Sequence, residues 1–110
     1  MTVTTLKLEG RLDTAAVAKM EVAFAARAGA LKDRGNTAIP DLRDLTFLSS
    51  MGIRLLVTTV KQFRQRGVDF ATLAPSDASV MEILKIANLT DHLNLAATAE
   101  AAESALAARS

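Results

Sequence analysis

The chain has 110 residues, half of them hydrophobic and 23% charged, and its net charge is +1. These values predict one globular domain over residues 1–110, and the near-neutral charge gives no electrostatic basis for binding nucleic acid. The sequence has no cysteine and one histidine, His92, which excludes disulfide scaffolds, thiolate metal sites and two-histidine metal centres.

A strand and a long helix are the first predicted elements. Apolar and polar residues alternate over residues 3–8, which is typical of a strand with one buried face, and Gly10 is predicted to mark its end. Asp13 or Thr14 supplies the short oxygen-bearing side chain that caps a helix. Apolar residues at near-helical spacing then predict a helix over residues 14–32.

A second strand is predicted at residues 37–39, with Pro40 at its exit because proline has no amide to donate within a sheet. Residues 35–36, a glycine followed by an asparagine, are expected to end the preceding helix or start the turn. Residues 41–45 are interpreted as a polar loop with leucine anchors.

An amphipathic helix is predicted to follow residues 49–52. Arg66 and Gly67 predict its end, because a cation is favoured near the carbonyl end and glycine turns into the left-handed conformation without strain. Its apolar positions recur at the spacing of one helix face: Ile53, Leu56, Val57, Val60 and the stem of Arg64.

The remaining predicted elements are a strand at residues 68–73, a third helix with its apolar face within residues 80–87, a short strand at residues 93–95 and an alanine-rich helix over residues 98–108. Strands that alternate with helices imply right-handed crossovers. The sequence therefore predicts an α/β fold, a small mixed, largely parallel sheet of about four strands packed with about four helices.

Two serines and a glycine, Ser49, Ser50 and Gly52, lie where the predicted loop becomes the second helix. The first amides of a helix have no partners within it, so a serine hydroxyl can cap them, and a phosphate would also be stabilised there. A cap alone is sufficient reason for serine at this position. Two readings stay open: a structural cap, or a phosphorylation site whose added charge of about −1.5 to −2 abolishes a partner interface without disturbing the fold.

Three stretches of the sequence resemble STAS domains, the family of bacterial anti-sigma factor antagonists. They are LEGRLDT at residues 8–14, DLRDLTFLSSMGIRLL at residues 41–56 and VMEILKIANL at residues 80–89. These stretches occur in the family's order and spacing, and the resemblance covers nearly the whole chain. It implies a single STAS-type domain.

The resemblance implies a regulatory protein, not an enzyme, that acts by partner switching. The unphosphorylated antagonist binds an anti-sigma factor and thereby releases a sigma factor. The anti-sigma factor is itself an ATP-dependent serine kinase that inactivates the antagonist by phosphorylating one serine, and a serine phosphatase reverses this. No cofactor and no metal belong to the antagonist itself.

The phosphoacceptor of the family lies two residues before the motif glycine, which assigns it to Ser50. Asp13 matches a family position that contacts the kinase, and Gly52 is expected to permit close approach of the partner's backbone. The partner-binding residues expected from the resemblance are Asp13, Ser49, Ser50, Met51, Gly52 and Arg54.

The sequence departs from the family pattern at several positions. Ser49 stands where the well-studied antagonists often have aspartate, Met51 replaces a serine or threonine, and Pro40 occupies a normally apolar strand position. The usual N-terminal strand is expected to be missing or merged into residues 2–9, which would leave an exposed edge.

These departures keep a second interpretation open, a STAS scaffold or transport-accessory module in a stress-signalling or lipid-trafficking complex, in which Ser50 is only a cap. A flavodoxin-like enzyme or nucleotide binder is disfavoured, because neither Gly-x-Gly-x-x-Gly nor a P-loop is present. Neither a signal peptide nor an apolar stretch long enough to span a bilayer is visible. We therefore expect a cytoplasmic monomer or weak homodimer without a membrane partner, and we interpret His92 as a loop or helix-cap residue.

Overall fold

The computed structural model describes residues 2–31 and 36–107. In chain order the described helices are α1 (Thr14–Gly29), α2 (Ser50–Arg66), α3 (Ala78–Ile86) and α4 (Ala99–Ala107). The described strands are β1 (Thr2–Leu12), β2 (Asn36–Leu48), β3 (Asp69–Phe70), β4 (Thr72–Leu73) and β5 (Leu95–Ala96).

The sheet has the strand order β1-β2-β4-β5, and β3 also pairs with β2. Every strand pairing within the described residues is parallel. Parallel neighbouring strands require crossover connections. Helix α1 connects β1 to β2, and helix α2 connects β2 to β3. The predicted α/β class, with four helices and a largely parallel sheet, is therefore confirmed.

Strand β2 is much longer than the predicted strand at residues 37–39, and two predictions are wrong here. Pro40 lies inside β2 and is buried, and residues 41–45 continue the strand instead of forming a loop. The carbonyl of Ala38 accepts a hydrogen bond from the Ala71 amide. Backbone groups two residues apart in a strand point to the same side, so the nitrogen of Pro40 also faces the segment that contains Ala71. Ala71 lies between β3 and β4, so the missing proline amide falls where the neighbouring strand is itself interrupted.

Gly10 does not end the first strand as predicted, because β1 runs on to Leu12. Gly10 has a φ of +72°, a conformation that glycine adopts without strain. The pairing register shifts between Lys7 and Glu9 and again between Gly10 and Arg11, with the extra residue on β2 each time. These bulges lengthen β2 relative to β1 and bring the two strands to a common end.

Several other boundaries differ from the predictions. Helix α1 starts at Thr14 with Asp13 as its cap but ends at Gly29, and predicted helical residue 32 and turn residue 35 lie outside the described residues. The strand predicted at residues 68–73 is divided into β3 and β4, and the one predicted at residues 93–95 is β5, shifted toward the C-terminus. Helix α2 ends at Arg66 with Gly67 in the left-handed conformation, as predicted.

The core is divided by the sheet. Alternate residues of a strand face opposite sides, so Ala38 and Leu42 join the larger cluster, whereas Ile39 belongs to a smaller cluster with Ala102 and Leu106 of α4. The largest fully buried side chains of the main cluster are Phe63, Leu6, Leu42, Leu45, Leu56, Leu84 and Leu93.

One ionised side chain is buried in the sheet. Asp41 is 5% exposed, and its carboxylate accepts from the Arg43 backbone amide at 3.0 Å and from the Arg43 guanidinium at 3.0 and 3.1 Å. These bonds from Arg43 hold the pKa of the Asp41 carboxyl below its ordinary value, against the opposing effect of burial. A charged group in this position is tolerated only because it is paired.

We expect Arg43→Met to lower the free energy of unfolding at pH 7, because it leaves the Asp41 carboxylate buried with fewer donors. Because the folded pKa is lowered, the stabilisation is complete above the ordinary carboxyl pKa of about 3.9 and disappears as the pH falls through the folded value. Urea denaturation at pH 7 and below pH 3 measures this, with Lys19→Met on the exposed face of α1 as the control. An equal loss at both pH values would contradict the account.

Candidate functional site

The candidate site lies at the edge of the sheet where β1 and β2 both end. Leu12 pairs with Leu48 in the parallel ladder, and these are the last residues of their strands. The next residue of each chain segment, Asp13 or Ser49, is the N-cap of the helix that follows. The register thus makes neighbouring caps of two residues that are 36 positions apart in the sequence.

The hydroxyl of Ser49 makes two internal hydrogen bonds. It donates to the Leu12 carbonyl at 2.8 Å and accepts from the Gly52 amide at 3.2 Å. The Ser49 backbone amide also donates to the Leu12 carbonyl, at 3.0 Å. The helix cap is therefore Ser49, which ties the start of α2 to the end of β1. The second interpretation, in which Ser50 is only a cap, assigned the cap to the wrong serine.

Asp13 makes the corresponding cap for α1. Its carboxylate accepts from the Ala16 amide at 2.9 Å and is half-buried. A carboxylate is well suited to this place because the N-terminus of a helix carries partial positive charge. Its role as a kinase contact stays a prediction.

Gly52 is buried at the first turn of α2, where the helix crosses the strand ends. A Cβ atom on this residue would lie 2.8 Å from Leu48 Cδ1 and 3.0 Å from Leu12 Cδ2. The packing of the protein itself therefore explains a glycine at this position, because α2 lies close to the ends of β1 and β2. The sequence prediction assigned it only to partner contact, which remains untested.

Ser50 and Met51 face outward from the same turn. Ser50 is the first residue of α2 and is exposed, and Met51 has 37% of its surface exposed. Within residues 2–31 and 36–107, the Ser50 hydroxyl makes no hydrogen bond. The adjacent serines therefore differ, since the Ser49 hydroxyl is bonded to two backbone groups and the Ser50 hydroxyl is exposed without a partner among the described residues.

A groove between α1 and α2 begins at Met51 and encloses about 450 Å³. Arg54 and Leu55 line its α2 side, and Glu21 and Ala25 line its α1 side. Arg54, predicted as a partner contact, is exposed here. Glu21 was missed by the sequence prediction, because nothing in its own segment indicates which face of α1 lies beside α2.

Arg11 is a second residue at this edge that the sequence prediction missed. Its guanidinium lies 4.4 Å from the centre of the Phe47 ring, and the two residues are paired across β1 and β2. The contact depends on both register shifts of β2. It places a cation one residue away from the Leu12–Ser49 junction.

The described residues contain no group of three or more His, Asp or Glu side chains arranged to hold a metal ion. Nor does the described part of the chain contain a helix with the length and apolar character needed to cross a bilayer. His92 lies elsewhere, where its carbonyl accepts from the Arg64 guanidinium.

Comparisons with known proteins agree on the fold. The family model described as the STAS domain matches residues 2–102. A solved structure of the anti-sigma factor antagonist SpoIIAA in its unphosphorylated form is 22% identical, with a TM-score of 0.71 over 98% of this chain and 89% of that chain. The STAS domain of a SulP transporter from Vibrio cholerae is also 22% identical, with a TM-score of 0.71 over 97% of this chain and 82% of that chain. Among curated proteins, none matches the sequence.

The difference between the two serines predicts different effects on stability. We expect Ser49→Ala to lower the free energy of unfolding by about 1–2 kcal/mol, because it removes a helix cap and the bond to the Leu12 carbonyl. Ser50→Ala should change it by less than about 0.5 kcal/mol, as is usual for an exposed side chain without partners. Urea denaturation of the two variants is the measurement, and equal effects would show that the two hydroxyls do not differ as described.

Proposed function

Since the chain belongs to the STAS domain family, we propose that it is an anti-sigma factor antagonist. In its unphosphorylated form it binds an anti-sigma factor that is also a serine kinase, and it is inactivated by phosphorylation at Ser50. A serine phosphatase restores the active form. The protein itself carries no catalytic residues or cofactor and works in the cytoplasm, as a monomer or weak homodimer.

The observation that carries this proposal is the free, exposed hydroxyl of Ser50 beside the occupied hydroxyl of Ser49. A kinase must bring the acceptor oxygen in line with the γ-phosphorus of ATP, which requires a side chain that can leave its surroundings. Ser50 meets this requirement without loss of a hydrogen bond, because Ser49 already caps the helix. Phosphorylation of Ser49 instead would break its bond to the Leu12 carbonyl.

The phosphoryl transfer is an ordinary displacement at phosphorus. The Ser50 oxygen forms a bond to the γ-phosphorus of ATP while the bond from that phosphorus to the β,γ-bridging oxygen breaks, and ADP leaves. The hydroxyl proton passes to a base of the kinase. ATP and the base both belong to the kinase, so the antagonist supplies only the acceptor and the surface around it.

The charge of the product explains how one modification releases the partner. The phosphate adds about −1.5 to −2 charges to a surface that includes Met51 and, at the neighbouring cap, the Asp13 carboxylate. A partner that fits the unmodified surface would have to bury this dianion or meet it with like charge. Such mismatches cost several kcal/mol in protein interfaces.

A second candidate function is a STAS module that serves as a scaffold or accessory domain of a transporter, without a phosphorylation switch. The observation that favours it is the equal similarity to the transporter STAS domain, with the same identity and TM-score as the antagonist. Gene neighbourhood separates the two functions, since kinase and phosphatase genes are expected beside an antagonist and transporter genes beside an accessory domain.

Phosphorylation at a single site is the first expected outcome. Incubation with the anti-sigma serine kinase of the same genome and MgATP should add one phosphate, which mass spectrometry locates at Ser50. The Ser49→Ala variant should accept it as well, and the Ser50→Ala variant should accept none. A phosphate at another position, or none with the true partner, would remove the switch.

The affinity for that kinase should depend on the charge of the side chain at position 50 and not on its size. We expect Ser50→Ala to bind within about twofold of the parent chain and Ser50→Asp to bind at least about tenfold more weakly, which corresponds to about 1.4 kcal/mol. Isothermal titration calorimetry measures both, with Ser76→Asp on an exposed turn as the charge-matched control. Equal affinity of Ser50→Ala and Ser50→Asp would contradict the charge mechanism.

A further inference from the structure

We infer that Arg54 is the intramolecular counterion of phosphorylated Ser50. The inference rests on the proposed function and adds how the modified site is held after phosphorylation. In the unmodified protein Arg54 is available to the partner, and in the phosphorylated protein its guanidinium binds the phosphate on its own helix.

The positions of the two residues on α2 make this pairing geometrically direct. Ser50 is the first residue of α2, and Arg54 follows four positions later, so their Cβ atoms are neighbours on one face at about 5–6 Å. Helical side chains lean toward the N-terminus, which directs the long Arg54 side chain back to the turn of Ser50. An acidic group that precedes a basic one by four residues is also the more favourable order.

The guanidinium of Arg54 can pair with the phosphate without first breaking another hydrogen bond or ion pair. Arg54 is exposed, and in the part of the chain that the structure describes it forms no hydrogen bond or ion pair. Glu21 lines the same groove but does not approach within ion-pair distance. A phosphate outcompetes such a carboxylate, because it carries more charge and three oxygens that match the forked guanidinium.

The other charged groups at this edge do not replace Arg54. Arg11 lies over the Phe47 ring, on the end of β1. The Asp13 carboxylate caps α1 beside Ser49 and repels a dianion, and Glu21 across the groove does the same. Arg54 is therefore the cation that the helix itself places beside the modified serine.

This pairing changes two features of the docking surface with one modification. The phosphate introduces negative charge, and it also withdraws the guanidinium of Arg54 from any partner that had bound it. The pair still carries a net negative charge of about −1, because the phosphate contributes nearly −2 and the arginine +1. The partner therefore loses a cation and gains an anion at the same place.

The test uses the full chain with phosphoserine installed at position 50 by genetic encoding, so no kinase is needed. Phosphorus NMR across the pH range gives the second pKa of the phosphate. A nearby cation favours the dianion and lowers that pKa, so Arg54→Gln should raise it by about 0.3 relative to the parent phosphoprotein. The difference should disappear at 1 M salt, where the screening length is about 3 Å.

Lys61→Gln is the matched control, since it removes the same charge from an exposed position of the same helix, further from Ser50. It should leave the phosphate pKa close to that of the parent, whereas Arg54→Lys should retain part of the effect. The same phosphate pKa in the parent, Arg54→Gln and Lys61→Gln proteins would overturn the inference. That result would leave the proposed function standing, because the latter fails only if the kinase does not modify Ser50 or binds both forms equally.

Discussion

The hydroxyl of Ser49 is the contact on which the site depends. It donates to the Leu12 carbonyl at the end of β1 and accepts from the Gly52 amide in the first turn of α2, so one oxygen joins a strand to the next helix. The buried glycine belongs to the same junction, because a Cβ atom there would lie 2.8 Å from Leu48 Cδ1 and 3.0 Å from Leu12 Cδ2, so these leucine side chains would have to shift. These contacts fix where α2 begins relative to the ends of β1 and β2.

At this junction one serine stabilises the fold, and the adjacent serine is exposed at the surface. Ser49 makes the cap that a helix start requires, so the adjacent Ser50 is free of structural duties and exposed. Its exposed neighbours are Met51 and Arg54, which continue into the groove beside α1. The phosphate that we propose would therefore occupy a site that the fold does not need. A reversible switch requires this property, because the modified protein must stay folded until the phosphate is removed.

The sequence was most informative where structure is decided locally. The serine cap at the start of α2 and the end of α2 at Arg66 and Gly67 depend on neighbouring residues, and both were predicted. The length of β2 was not, because pairing with strands on both sides outweighs the local preference of Pro40. The contact of Arg11 with Phe47 likewise depends on two register shifts that no local pattern records.

The proposed phosphate on Ser50 acts through charge at the surface and leaves the fold unchanged. The most direct test compares the amide proton–nitrogen NMR spectra of the unmodified chain and of the chain with phosphoserine at position 50. We predict shifts confined to the junction and its surroundings, residues 11–14 and 47–55, with the remaining signals superimposed. Shifts spread through β3, β4 and α4, or a loss of signal dispersion, would contradict the account, because they would mean that the modification works by rearranging the fold.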